Sequence, residues 1–125
     1  MQNKKFRFGP IALTTALTTN LLNPGAASGG VNAGTPNLYI LIQHIRVVNK
    51  HASIVAKVSL WLGATAGNAA GTEVSFQATP VALGGSVDAY YAGGLRLDVA
   101  DFLVGGADTA TALTIEGEGE IGVAG

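Results

Sequence analysis

Apolar and polar positions alternate along much of the chain, while the 3.6-residue period of an amphipathic helix is almost absent. β-branched and apolar runs are separated by clusters of Gly, Pro, Asn and Ser, the punctuation of many short strands. The clearest strand covers 38–49, LYILIQHIRVVN. One face carries Ile40, Ile42, His44, Arg46 and Val48, and the other carries Tyr39, Leu41, Gln43, Ile45 and Val47. Both faces are largely apolar, so a central place in a sheet is expected. After a turn at 49–53 (NKHAS) comes 54–62, IVAKVSLWL, with Ile54, Ala56, Val58, Leu60 and Leu62 as the inward row. Val55, Lys57, Ser59 and Trp61 face out, and the two runs read as a hairpin. Beyond a Gly-Ala loop at 63–71, shorter strands are expected at about 73–78, 86–91 and 95–99. A last strand at 111–123, TALTIEGEGEIGV, follows a turn at Gly105-Gly106-Ala107-Asp108. With no crossover helices, the pattern predicts an all-β fold, a small antiparallel β-sandwich or jelly roll of about six to eight strands.

The front of the chain has a different texture. Residues 10–22 repeat Ala-Leu-Thr-Thr at 12–15 and again at 16–19. A four-residue period suits a helix, but four Thr between Pro10 and Asn20 favour an extended arm or an edge strand. Residues 23–37 hold four Gly and two Pro in 15 positions, a long connection for a small domain. The chain therefore divides into an extended arm with a Gly/Pro-rich loop, 1–37, and a β-sandwich domain, 38–125.

Composition narrows the function classes. Of 125 residues, 12% are charged, about half the usual share of roughly 25%, while 48% are hydrophobic and 18 are Gly. Mean hydropathy is +0.38. Net charge is −1, so neither disorder nor a strongly basic nucleic-acid-binding surface is indicated. There is no Cys, which excludes a disulfide framework and Cys-ligated metal. The basic start imitates a signal-peptide n-region, but Thr14, Thr15, Thr18, Thr19 and Asn20 interrupt the apolar segment that should follow. No run approaches the ~18 apolar residues of a spanning helix, and no membrane partner is expected. Lys4, Lys5 and Arg7 carry three of the seven basic charges, which leaves four basic against eight acidic groups in the rest, a body of net −4.

The candidate chemistry is sparse. Gly117-Glu118-Gly119-Glu120-Ile121-Gly122 spells G-x-G-x-x-G, but it opens no helix and two carboxylates would repel a pyrophosphate, so it reads as a Gly-rich strand. Glu116, Glu118 and Glu120 are two apart and share one strand face. That ladder is open to three readings: a solvated face, hard oxygen ligands for a divalent cation, or a contact for a basic partner such as the Lys4, Lys5 and Arg7 arm of a neighbouring copy. His44, mid-strand, reads as structural and His51 as an exposed turn residue, with no nucleophile placed beside either. Asp98 and Asp101 read as turn caps. Trp61, Tyr90 and Tyr91 are candidates for core or subunit packing, and Trp61 with Tyr91 for a sugar platform. The adjacent tyrosines must split across their strand, sending one ring outward. No catalytic residue, cofactor or metal is assigned.

Several of these runs together resemble a known family. They are I-R-V-V-N at 45–49, S-L-W-L-G at 59–63, V-A-L-G-G-S at 81–86, Tyr90-Tyr91-Ala92-Gly93-Gly94, and L-R-L-D-V-A-D-F-L at 95–103, closing on the alternation of 111–115. This resembles the small β-sandwich virion proteins of tailed bacteriophages, whose commoner form reads I-V-R-S-I-H-V-A-N-T and later L-A-A-G-E-T … G-L-V-L-x-A-G-D-x-I. The resemblance spans roughly residues 38–123 and departs from that form at Gly84-Gly85-Ser86 and at Asp101-Phe102. It implies a structural protein of the virion, assembled in the host cytoplasm: a capsid decoration or cement protein, a homo-oligomer expected to be trimeric, bridging the major capsid protein or other virion proteins through its Thr-rich arm. A neck, tail or fibre accessory protein is the alternative within the same virion. A carbohydrate-binding β-sandwich module is the alternative from another class. The low charge points independently to surface that neighbours cover.

Overall fold

The computed structural model describes residues 3–24 and 39–122, and these form eight strands without a helix. They are β1 (Asn3–Ala12), β2 (Asn20–Leu22), β3 (Tyr39–Asn49), β4 (Ala56–Gly63), β5 (Thr79–Val81), β6 (Ser86–Leu97), β7 (Phe102–Ala107) and β8 (Leu113–Gly122). Their antiparallel pairs nest one inside the next: β4 with β5, β3 with β6, β2 with β7, and β1 with β8. A long hairpin rolled on itself gives this nesting, and it is the topology of a jelly roll. Lateral joins of β3 to β8 and β4 to β7 complete two sheets, β1-β8-β3-β6 and β2-β7-β4-β5. The all-β class and the sandwich are as the alternation predicts.

The core lies between the sheets. Phe8, Ile40, Ile42, Ile45 and Ile115 from the first sheet meet Leu22, Leu60 and Leu103 from the second, all fully buried. Along β8 every second residue faces inward, and two of those positions are glycines. A Cβ at Gly117 would run into the Phe8 ring, and one at Gly119 into the Leu41 carbonyl, so β8 fits between β1 and β3 only with side chains absent there. The literal G-x-G-x-x-G is a strand.

Five sequence expectations change. The segment read as an arm is built into the sandwich: β1 and β2 are edge strands of the two sheets, with Phe6, Phe8, Leu21 and Leu22 buried. The Gly/Pro-rich loop falls mostly on 25–38, outside the described residues. The 38–49 and 54–62 runs form no hairpin, because β3 and β4 belong to opposite sheets and the turn between them is a corner. β3 does not keep one inward row. A register shift between Ile42 and His44 inserts one extra residue relative to β8, so the inward set is Ile40 and Ile42, then Ile45, Val47 and Asn49. Residues 86–97 are one strand that bulges at 91–94, where Gly93 and Gly94 take positive φ, while 73–78 contributes a single bridge, Glu73 to Trp61. Finally, Gly105 and Gly106 are not a turn. They lie in β7, where a Cβ at Gly105 would strike the Ser59 carbonyl and one at Gly106 the Thr14 carbonyl.

Asn49 holds the corner. It is 0% exposed, yet every polar group is engaged. Its side-chain amide donates to the carbonyls of Ile54 (2.9 Å) and Val81 (3.0 Å), and its Oδ1 accepts from the His51 amide (2.9 Å). Its own amide donates to Gly85 O (3.0 Å) and its carbonyl accepts from Gly84 N (3.0 Å). Asn49→Ala leaves carbonyls without donors at both turns and should lower unfolding free energy by about 2–4 kcal/mol in a urea titration. Removing residues 1–9 takes Phe6 and Phe8 out of the core, at about 1.5–3 kcal/mol each, and strips the β1–β8 ladder. Against a total stability of about 5–15 kcal/mol, the truncated chain should lose its cooperative melting transition, read by circular dichroism. A truncated chain that melts like the parent would show β1 to be dispensable.

Candidate functional site

The polar residues gather on the outer face of the first sheet, and cross-strand pairing arranges them in rows. One row reads Arg7, Glu118, His44, Tyr90 across β1, β8, β3 and β6. The row below reads Glu116, Arg46, Asp88, and the row above Lys5, Glu120, Leu41, Arg96. In each row, directly opposed charges alternate in sign, the favourable arrangement for neighbouring strands. The register shift in β3 makes this possible. It turns His44 and Arg46 outward although they share odd-even phase with Ile40 and Ile42.

Asp88 is the hub of the central rows. Its Oδ1 accepts from Arg46 Nε at 2.8 Å and lies 2.7 Å from His44 Nε2. The Arg46 hydrogen bond, followed by that of His44, holds the Asp88 carboxyl below the usual carboxylate range, and Asp88 in turn raises Arg46. On its other side His44 Nδ1 lies 3.6 Å from Glu118 Oε1. The imidazole stacks flat on Tyr90, with centroids 4.4 Å apart and planes 5° apart. Tyr90 is 72% exposed, so its second ring face is open. Glu120 is held by amides, accepting from Asn3 Nδ2 (3.2 Å) and Gln43 Nε2 (3.3 Å). Arg96 lies 4.1 Å over the Tyr39 ring and pairs with Asp98 at 2.9 Å. Two shallow hollows interrupt the face. One of about 170 Å³ is lined by Arg7, His44, Arg46, Glu116, Gly117 and Glu118, and one of about 320 Å³ by Lys5, Phe6, Arg7, Gln43, Glu118 and Gly119.

The sequence candidates are placed as follows. Glu116, Glu118 and Glu120 do share one face, but Lys5 and Arg7 of the same chain lie opposite Glu120 and Glu118. Basic groups of the same chain thus stand beside the ladder, where one of its three readings placed those of a neighbouring copy. Lys4 is exposed at the start of β1, opposite Ile121. Tyr90 is the tyrosine that faces out. Tyr91 faces in, half-buried, its hydroxyl 2.6 Å from Ser75 Oγ, and burial raises its pKa. Trp61 is not an outward contact. It is 8% exposed beside Val104 on the far side of the second sheet, apart from the central core cluster. The turn at 14–17, which packs over Gly106, helps to cover that side. The Trp61 indole nitrogen is buried without a hydrogen-bond partner among the described residues. With Trp61 covered and Tyr91 turned inward, the expected sugar platform is not assembled.

His51 is part of the corner, its Nδ1 accepting from the amides of Ser53 (3.0 Å) and Ile54 (3.1 Å). Asp101 caps the β6–β7 turn, its Oδ2 accepting from the Asp98 amide at 2.9 Å, while the Asp98 carboxylate pairs with Arg96. Among the described residues, no group of three or more His, Asp or Glu side chains converges to hold a metal ion. No helix among them is long and apolar enough to cross a membrane. Sequence reasoning passed over Asp88 and Asn49. For Asp88 the available signal was its alternation with Tyr90 in S-V-D-A-Y; for Asn49, it was a lone amide closing an apolar run. No protein-family description matches the chain, and no curated protein is similar to it.

Because Asp88 is depressed in the folded state, its contribution to stability is present above the ordinary carboxylate range and is lost as pH falls through the lower folded value. Asp88→Asn should therefore melt below the parent by a small margin at neutral pH, with the gap closing below about pH 4. Calorimetric melts across that range provide the check, and a gap that is the same at every pH would remove Asp88 as the hub.

Proposed function

We propose that the chain is a structural protein of a virion, of the capsid decoration or cement type, present in many copies and attached to the major capsid protein. Support comes from the resemblance over 38–123, from the jelly-roll topology that capsid subunits use repeatedly, and from the placement of exposed apolar groups. The last of these carries most weight. Ile54 (39% exposed), Val55 (52%) and Leu83 (47%) sit in two turns that Asn49 ties to each other, so they form an apolar tip at one end of the sandwich. Fixed apolar side chains on loops cost solubility in a free monomer and suit a surface covered by a partner. The two hollows on the sheet face are shallow and lined by charges of both signs, which suits contact better than enclosure of a small substrate.

Attachment can be read directly. Purified chain is added to shells of the phage that lack it and the particles are imaged by cryo-electron microscopy. Density repeated over the whole shell is expected. Density at a single vertex would favour the neck or tail alternative, and no bound chain would overturn both. Val55→Asp with Leu83→Asp, both exposed, should weaken binding about a hundredfold while leaving the melting temperature near that of the parent.

A further inference from the structure

We infer that the β6 edge of the first sheet is where a second copy of this chain attaches, by antiparallel β6–β6 pairing centred on Ala89. A sheet edge left with unpaired backbone groups recruits other strands unless it is guarded. Among the described residues, three of the four sheet edges are guarded. β1 carries Lys4, Lys5, Arg7, Pro10 and a register shift. β2 and β5 are three residues each, and β5 contains Pro80. β6 differs. From Ser86 to Tyr90 it pairs with β3 in unbroken register, and it contains neither Pro nor Lys. Alternate residues of that run turn their N–H and C=O groups away from β3, towards the open side. The one charge between Ser86 and Tyr90, Asp88, is engaged by Arg46 and His44.

Charge selects the register. Two-fold antiparallel pairing keeps inner residues opposite inner ones only when it is centred on a residue of the run. Centred on Asp88, it would set the two Asp88 carboxylates against each other. Centred on Val87, it would run into the Gly84-Gly85 turn. Centred on Ala89, it places Tyr90 of one copy opposite Asp88 of the other. The row Arg7, Glu118, His44, Tyr90 then continues as Asp88, Arg46, Glu116, and the uncharged Tyr90 stands at the seam so that no two carboxylates meet there. A net charge of −1 sets little repulsion against it. Such a pair is isologous, so the assembly it builds is two-fold, in place of the three-fold expected from the resemblance. The inference does not rest on the virion assignment.

Sedimentation velocity on the full chain, from micromolar to submillimolar concentration, tests it. The parent should dimerise. Tyr90→Glu, at an exposed position, sets Glu against the partner's Asp88 and should weaken the dimer at least about tenfold. Val99→Glu, exposed in the turn after β6, should leave it unchanged. In this Cys-free chain, Ala89→Cys should give a disulfide-linked dimer on oxidation, and Val99→Cys should not. A parent that stays monomeric throughout, a dimer indifferent to Tyr90→Glu, or a dimer that Ala89→Cys fails to link would each overturn the inference. Capsid attachment is read separately, on particles, so the two can fail independently.

Discussion

The jelly roll turns on one buried amide. The chain must leave the first sheet at the end of β3 and enter the second at β4, and no ladder spans that corner. A buried amide costs several kcal/mol if its partners are missing and little if they are all present. Asn49 meets the second condition by reaching both the 50–55 corner and the 82–85 turn. These two connections are successive layers of the roll, since β3 pairs with β6 and β4 with β5. One residue thereby sets where the roll changes sheet and how the exposed Ile54 and Leu83 tip is carried.

With the corner fixed, the phase of β3 becomes a problem that the strand must solve. Strict alternation from Ile40 through Asn49 would turn His44 and Arg46 inward with Ile40 and Ile42, burying charge in the core, or would expose all four. The extra residue at Gln43 removes the conflict by changing phase mid-strand. β6 answers with its own excursion at 91–94, which turns Tyr91 towards Ser75 while Tyr90 stays on the face. The bulge, the charge rows and the stacked Tyr90 are therefore consequences of one constraint.

Local features were legible in the sequence and non-local ones were not. Alternation alone identified the β class, the inward row of β4 from Ala56 to Leu60, the shared face of the three glutamates and the split of Tyr90 from Tyr91. The phase change was also written there, since His44 and Arg46 share parity with Ile40 and Ile42, but a strand was assumed to keep one phase. Pairing partners depend on topology. Nothing near Lys5 or Arg7 in sequence shows that β8, more than a hundred residues later, lies beside them. The cover over Trp61 likewise comes partly from a turn at 14–17 that sequence reasoning assigned to an arm. The glycines of β7 misled for a related reason. Glycine marks both turns and close backbone approach, and only the neighbours at Gly105 and Gly106 distinguish the two.

The low charge of the chain takes on a different meaning once the charges are located. Lys5, Arg7, Arg46 and Arg96 stand among Asp88, Glu116, Glu118 and Glu120 on one sheet face, four of each sign. That face is self-compensated, so the apparent acidic body with a basic arm is an artefact of splitting the sequence at a boundary that the sheet does not respect. A face of balanced, interspersed charge gains little from a charged partner, because an incoming charge meets like groups as well as opposite ones. Attraction to other molecules then has to come from what the charges leave uncovered. Among the described residues, Val99 and Leu17 are exposed singly, and two larger places answer that description: the apolar tip at Ile54, Val55 and Leu83, and the open backbone of β6 beside Tyr90. The tip lies at an end of the sandwich and the strand along its side, so one copy could hold a different partner with the first and a sister copy with the second without the two contacts competing for the same surface.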